Sequence, residues 1–204
     1  MSISRLYDFL ERKDFLNPET GMIFFPVYLY TYPAKDEYFV REQIRELAKR
    51  LERPLAMVET LILNLYDIFI DYLKTESLSG TNYFELILQQ EEINPVQASK
   101  RVERLINKDS FIDFLNEKIV QHFSENSDKK KIYVFLHGVG SVFPYLRTSK
   151  LITRMEKHIG QKYKLIIFYP GTFEAGHYHL FGIMPGSHIY RANHLNPLIE
   201  KKIV

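Results

Sequence analysis

Lys131 to Arg147, KIYVFLHGVGSVFPYLR, constrains the fold of this chain more than any other stretch. The apolar run Ile132 to Leu136 ends on a glycine pair, Gly138 and Gly140. Phe143-Pro144-Tyr145-Leu146-Arg147 follows, and then a helix-like segment that reaches His158. A second apolar run, Lys164 to Tyr169, ends on Pro170-Gly171. Strand, glycine turn, helix, strand, turn is the order of a parallel α/β sheet. In such sheets ligands and partners meet the loops at the carboxyl ends of the strands. The turns Gly138–Arg147 and Pro170–Gly176 are therefore expected side by side at one edge of the sheet, and function is expected there.

The rest of the chain supplies elements for the same sheet. Residues 4–14 place Leu6, Phe9 and Leu10 on one face and read as a short helix. Gly21 to Tyr32 reads as a strand, with Pro26 demanding an edge position or an irregular start. Residues 36–52 read as a helix with Asp36 as N-cap and Phe39, Val40, Ile44, Leu47, Ala48 and Leu51 as the apolar stripe. Met57 to Asn64 suits either a buried strand or the start of a helix, and the apolar run Leu61 to Leu65 favours a strand feeding a helix over Tyr66 to Thr75. A helix follows over Thr81 to Glu92, capped by Thr81 or Asn82. Pro95 opens another helical region that runs to Phe123, interrupted near residues 107–109. Ser124 to Lys131 is polar and reads as a linker. This order predicts an α/β fold: a mostly parallel, Rossmann-like sheet of about four to five strands flanked by helices. A helical insertion over 79–124 separates the second and third strands, within one domain spanning 1–204. Hydrophobic residues make up 46% of the 204, ample for a packed core.

Several chemistries are excluded or disfavoured. The chain has no cysteine, which removes disulfides, thiolate catalysis and thiolate metal sites. The net charge is only +2, so nucleic-acid binding is not expected. The basic run Lys129-Lys130-Lys131 reads as a solvated flank of a strand. The amino terminus carries no apolar signal core, and no apolar run approaches the ~20 residues that span a bilayer. A soluble, cytoplasmic protein without membrane partners is expected.

The candidate sites are weak as chemistry. His137-Gly138-Val139-Gly140-Ser141 could hold an anion, but a P-loop needs Lys-Ser/Thr after its second glycine, where Val142-Phe143-Pro144 stands. A dinucleotide loop needs a third glycine. The simpler reading is a tight connection with Gly140 at a backbone angle closed to other residues. Arg147 could hold a phosphate or carboxylate, or pair with Glu174 and tie the two turns together. His177 and His179 share a strand face, but no third ligand stands at a useful offset, so no metal is expected. Neither Ser141 nor Ser149 sits in a nucleophile elbow, and no catalytic residue or cofactor is assigned. Tyr7, Tyr28, Tyr30, Tyr32 and Tyr38 suit core or partner surface. The stretch Phe181 to Leu198 is broken by prolines yet carries Phe181, Ile183, Met184, Ile189, Tyr190, Arg191 and Leu195. Phe181, Tyr190 and Arg191 are its candidates for partner contact. The alternative is that the segment folds back over the sheet edge.

LHGVGSVFPYLRTSKLI, IIFYPGTFEAGHYHLFG and YRANHLN resemble the BrxB family of the BREX bacteriophage-resistance systems. The motif positions Gly138, Gly140, Pro144, Arg147, Pro170 and Gly171 fall in these segments. The histidines at 177 and 179 depart from that family's expected pattern. The resemblance implies a setting rather than a reaction: a non-catalytic adaptor among BREX proteins, with the alkaline-phosphatase-like PglZ protein as first partner. The competing expectation is a nucleotide- or phosphate-binding enzyme using Gly138–Arg147.

Overall fold

The computed structural model describes residues 3–16, 25–53, 58–125, 132–159, 163–189 and 191–200. Two short helices come first, α1 (Ile3–Leu10) and α2 (Lys13–Leu16), then strand β1 (Val27–Tyr32) and helix α3 (Glu37–Leu51). Strand β2 (Glu59–Asn64) runs into α4 (Leu65–Thr75). A small ribbon, β3 (Ser77–Leu78) and β4 (Thr81–Asn82), leads to α5 (Tyr83–Ile93), α6 (Pro95–Ile106) and α7 (Asp109–Glu125). Then come β5 (Ile132–His137), α8 (Thr148–Ile159), β6 (Lys164–Glu174), β7 (His177–Leu180), β8 (Asn193–His194) and α9 (Leu195–Glu200). The expected residues Gly21 to Phe24 and Met57, most of the linker, and Tyr190 lie outside the described residues.

The α/β sheet is as expected. Its order is β2-β5-β6-β1-β8, with every pair on that path parallel. In this sheet, among the described residues, β7 alone runs antiparallel, paired to the far end of β6. The inner strands are apolar on both faces because helices cover both. One face is aliphatic: Val27, Leu29, Val134, Leu136, Leu165 and Ile167 pack in one core with residues of α4, α7 and α8. The opposite face is aromatic: Tyr28, Tyr30, Tyr133, Phe135 and Phe168 pack with residues of α1, α2 and α3. The period-two alternation of β1, VYLYTY, thus sorts its tyrosines onto one side. Phe168 meets Tyr30 at 5.8 Å and Phe135 at 5.5 Å, both edge to face.

Local chemistry explains the boundaries. Asn64, Asn82 and Asn94 each cap a helix, accepting from the amides of Tyr66, Glu85 and Gln97. Pro95 occupies the first turn of α6. Asp36 precedes α3 but makes no capping bond, contrary to expectation. Its backbone (φ −92°, ψ 7°) closes a 3-10 turn instead of taking the extended shape that aims a cap forward. Phe39 is also not part of the buried stripe. It is 61% exposed, while Val40, Ile44, Leu47, Ala48 and Leu51 point inward. Pro26 stands just before β1, where its missing N–H is harmless and its carbonyl accepts from Leu165. The helical stretch between β2 and β5 is divided in character. Phe111, Ile112, Leu115 and Ile119 of α7 lie in the core, whereas Leu88, Ile93 and Val96 of the α5–α6 pair face solvent.

The last segment closes one edge of the sheet. Asn193 Nδ2 donates to the carbonyls of Phe25 and Val27. Asn196 presents its side-chain amide to Thr31 as a strand would, accepting from the N–H and donating to the C=O, each at 2.9 Å. His194 meets the Thr31 hydroxyl at 3.1 Å. Ile189 and Leu195 are buried, so these two do not belong to an exposed patch as the sequence suggested. They fold back over the sheet.

Removing a ring from the aromatic core should be severe. Phe135→Ala is expected to cost about 3–5 kcal/mol, and Ile93→Ala, at an 86% exposed position, less than ~0.5 kcal/mol. Urea denaturation of both variants checks the contrast; equal midpoints would refute it.

Candidate functional site

The carboxyl ends of the parallel strands gather the motif residues. After β5, Gly138 takes a left-handed backbone (φ +76°) that turns the chain out of the sheet. The loop then satisfies itself. The amide of Ser141 donates to Gly138, that of Phe143 to Gly140 and that of Leu146 to Val142. Val139, Val142 and Leu146 plunge into the aliphatic core. An anion cradle needs amides converging on empty space, and here these three are occupied. Pro144, after a cis peptide, and Arg147 are exposed.

Gly140 is not in the left-handed region, contrary to expectation. Crowding requires glycine here: a Cβ would stand 2.7 Å from Phe181 Cε1 and 3.2 Å from Pro170 Cγ. The same contact shows that the two motif segments are neighbours. The second, however, is no turn at Pro170-Gly171. Strand β6 continues through both residues, and the reversal comes at Ala175-Gly176, both with positive φ. Gly171 pairs with Leu180 there, and the Pro170 carbonyl accepts from Phe181 N at 2.7 Å. No ion pair joins Arg147 to Glu174 among the described residues; both side chains are exposed. A narrow cleft of about 50 Å³ lies between Phe143, Arg147 and Thr148 on one side and Tyr169 and Met184 on the other.

A polar group that the sequence reading missed sits at the same edge, on the α3 side. Tyr32 donates to Glu37 at a short 2.5 Å, and Glu37 accepts from Arg41 Nε at 2.8 Å. Burial, then the neighbouring Glu37 carboxylate, pushes the Tyr32 phenol far above its ordinary range. His137 ends β5 nearby, with Nδ1 buried and unpartnered. Burial lowers its pKa, and the charge of Arg41 lowers it further. Across the ladder from His137, Asn64 donates to Asp67 at 2.8 Å. The Glu37–Arg41 spacing of four was readable as a helical ion pair. Its meeting with Tyr32 and the end of β5 required the sheet order.

Apolar side chains ring this edge. Tyr38 and Phe39 stand in the first turn of α3, just past β1, and Tyr66 in the first turn of α4, just past β2. Phe181 covers Gly140, and Ile183 is 80% exposed. Tyr28, Tyr30 and Tyr32 are core, so of the tyrosine strip only Tyr38 is freely exposed, with Tyr7 half-buried beneath Arg50. Arg191 pairs with Glu156 of α8. His177 and His179 turn Nδ1 to the carbonyls of Ala175 and Met184, at 3.0 and 3.1 Å. No group of three metal-binding side chains forms among the described residues.

Two outcomes follow. Gly140→Val should destabilise by roughly 1–3 kcal/mol through overpacking against Phe181; pairing it with Phe181→Ala should restore most of the loss in a denaturation series. Burial also lowers the pKa of His194. A histidine depressed in the folded state binds fewer protons there than when unfolded. Its contribution is therefore full above ~6.5 and is lost as pH falls below that value. The urea midpoint should drop between neutral pH and about pH 5.5. The His137→Gln, His194→Gln double variant should show a shallower drop; an unchanged slope would refute this assignment.

Residues 61–195 match the family described as BREX protein BrxB. A BREX protein BrxB of Bacillus cereus (strain H3081.97) is 26% identical over 167 residues, covering 81% of this chain and 80% of the relative. Another, of Escherichia coli O9:H4 (strain HS), is 27% identical over 171 residues, covering 83% and 78%. No solved structure matches. The matched stretch runs from β2 through the motif loop and the β6–β7 hairpin to the edge-closing asparagine Asn193, more than half of the chain, and the chain belongs to the BrxB family.

Proposed function

We propose that this protein is a non-catalytic adaptor of a BREX-type phage-defence assembly in the cytoplasm, docking on PglZ through the carboxyl edge of its sheet. The supporting observation is the ring of Tyr38, Phe39, Tyr66 and Phe181 left in water around that edge. Aromatic side chains are enriched at protein interfaces, and a free-standing domain usually keeps large apolar patches covered. The Tyr32–Glu37–Arg41 group and His137, at the same edge, would supply polar positions that fix register. Among the described residues no helix is long and apolar enough to cross a membrane.

The other reading, a nucleotide- or phosphate-binding enzyme, draws on Arg147, exposed just ahead of α8 with no ion-pair partner among the described residues. The self-bonded loop and the small cleft count against it. Melting curves with ATP, GTP, NAD and magnesium separate the two. A rise of several degrees at millimolar ligand would favour the enzyme, because a ligand that binds only the folded state stabilises it by mass action.

For the adaptor, Phe39→Ala and Phe181→Ala are the variants to make. Each is expected to weaken capture of PglZ by about tenfold or more, with an unchanged circular dichroism spectrum. Full capture by both folded variants would remove the carboxyl edge as the docking face.

A further inference from the structure

We infer that the outer edge of β2 pairs antiparallel with β2 of a second copy of this chain. Among the described residues β2 ends the sheet and pairs with β5 alone. In a strand every second residue turns its N–H and C=O outward, and such groups demand partners. Among the described residues, no hydrogen bond meets that outer row from Thr60 to Leu63. The opposite edge is treated differently: β8 pairs along part of β1, and Asn193 and Asn196 hold its backbone with their side chains. Natural edges are guarded by proline, lysine, bulges or cover. ETLILN has neither proline nor lysine, and its ladder with β5 is unbroken from Glu59 to Asn64. Leu61 and Ile62, on opposite faces, are left half-buried at this margin.

The strand is complementary to itself. Antiparallel pairing centred on Ile62 sets Ile62 against its twin, Leu61 against Leu63 and Thr60 against Asn64. Each pair joins residues on one face of the sheet, apolar to apolar and polar to polar, with no like charges opposed. The interface is then two-fold and closed. The sheet becomes continuous across two copies, and the two carboxyl edges point in opposite directions.

Light scattering of the full chain after gel filtration, from about 1 to 100 µM, tests this. The mass should double with concentration, and Ile62→Lys should return it to one chain with the same circular dichroism spectrum. A single-chain mass throughout would overturn the pairing and leave the edge for a strand of another protein. A doubled mass in folded Ile62→Lys would overturn it as well. Should that variant fail to fold, hydrogen exchange of the unaltered chain decides. Protection of amides 60–63 rising about tenfold or more as the mass doubles supports the seam; unchanged protection refutes it.

Discussion

Everything in this fold hangs on β5 and β6 being buried on both faces. Tyr133, Val134, Phe135 and Leu136 of β5, and Leu165 to Phe168 of β6, are at most 2% exposed. Strands of this kind cannot exist without a helical layer above and below. The chain meets the demand unequally. One layer comes from α1, α2 and α3 over an aromatic floor, the other from the helices that follow β2 over an aliphatic one. At about 25 cal/mol per Å² of apolar surface, this two-sided burial is the main source of stability. It also forces the helices to start near the carboxyl ends of strands, which is why Tyr38, Phe39 and Tyr66 arrive at one edge.

Polar satisfaction is delegated to asparagine. Asn64, Asn82 and Asn94 close helix starts, and Asn193 and Asn196 close a strand edge. One side-chain amide carries both a donor and an acceptor, so it can stand in for a peptide group wherever the backbone runs out of partners. The stretch from Asn193 to Asn196 is therefore a structural clasp.

The parallel sheet was legible because long apolar runs bounded by Gly and Pro leave few alternatives. The helix starts at Asn82 and Pro95 were legible for the same local reason, whereas the caps Asn64 and Asn94 were not read. Most of what failed was tertiary, though the Asp36 cap and Phe39 failed on local geometry. Pro170-Gly171 looks like a turn by composition, yet β7 returns alongside it and keeps it extended. Gly140 looks like a backbone-angle glycine, yet its constraint is the phenyl ring of Phe181, far along the chain. Phe39 continues an apolar stripe by proximity, but one residue is a 100° rotation on a helix and places it outside. The Tyr32–Glu37–Arg41 group joins two elements whose meeting no single-sequence pattern announces.

Phe181 holds a left-handed backbone (φ +58°), an arrangement that costs a non-glycine residue of order 1 kcal/mol or more. Its amide is tied to Pro170 while its ring lies on Gly140 and meets Phe143 edge-on at 6.3 Å. One residue therefore rivets the ends of the two most deeply buried strands. Load applied to that ring passes straight into the rigid centre of the molecule, not into a pliant flap, so a molecule gripping it would hold the whole body by a fixed handle.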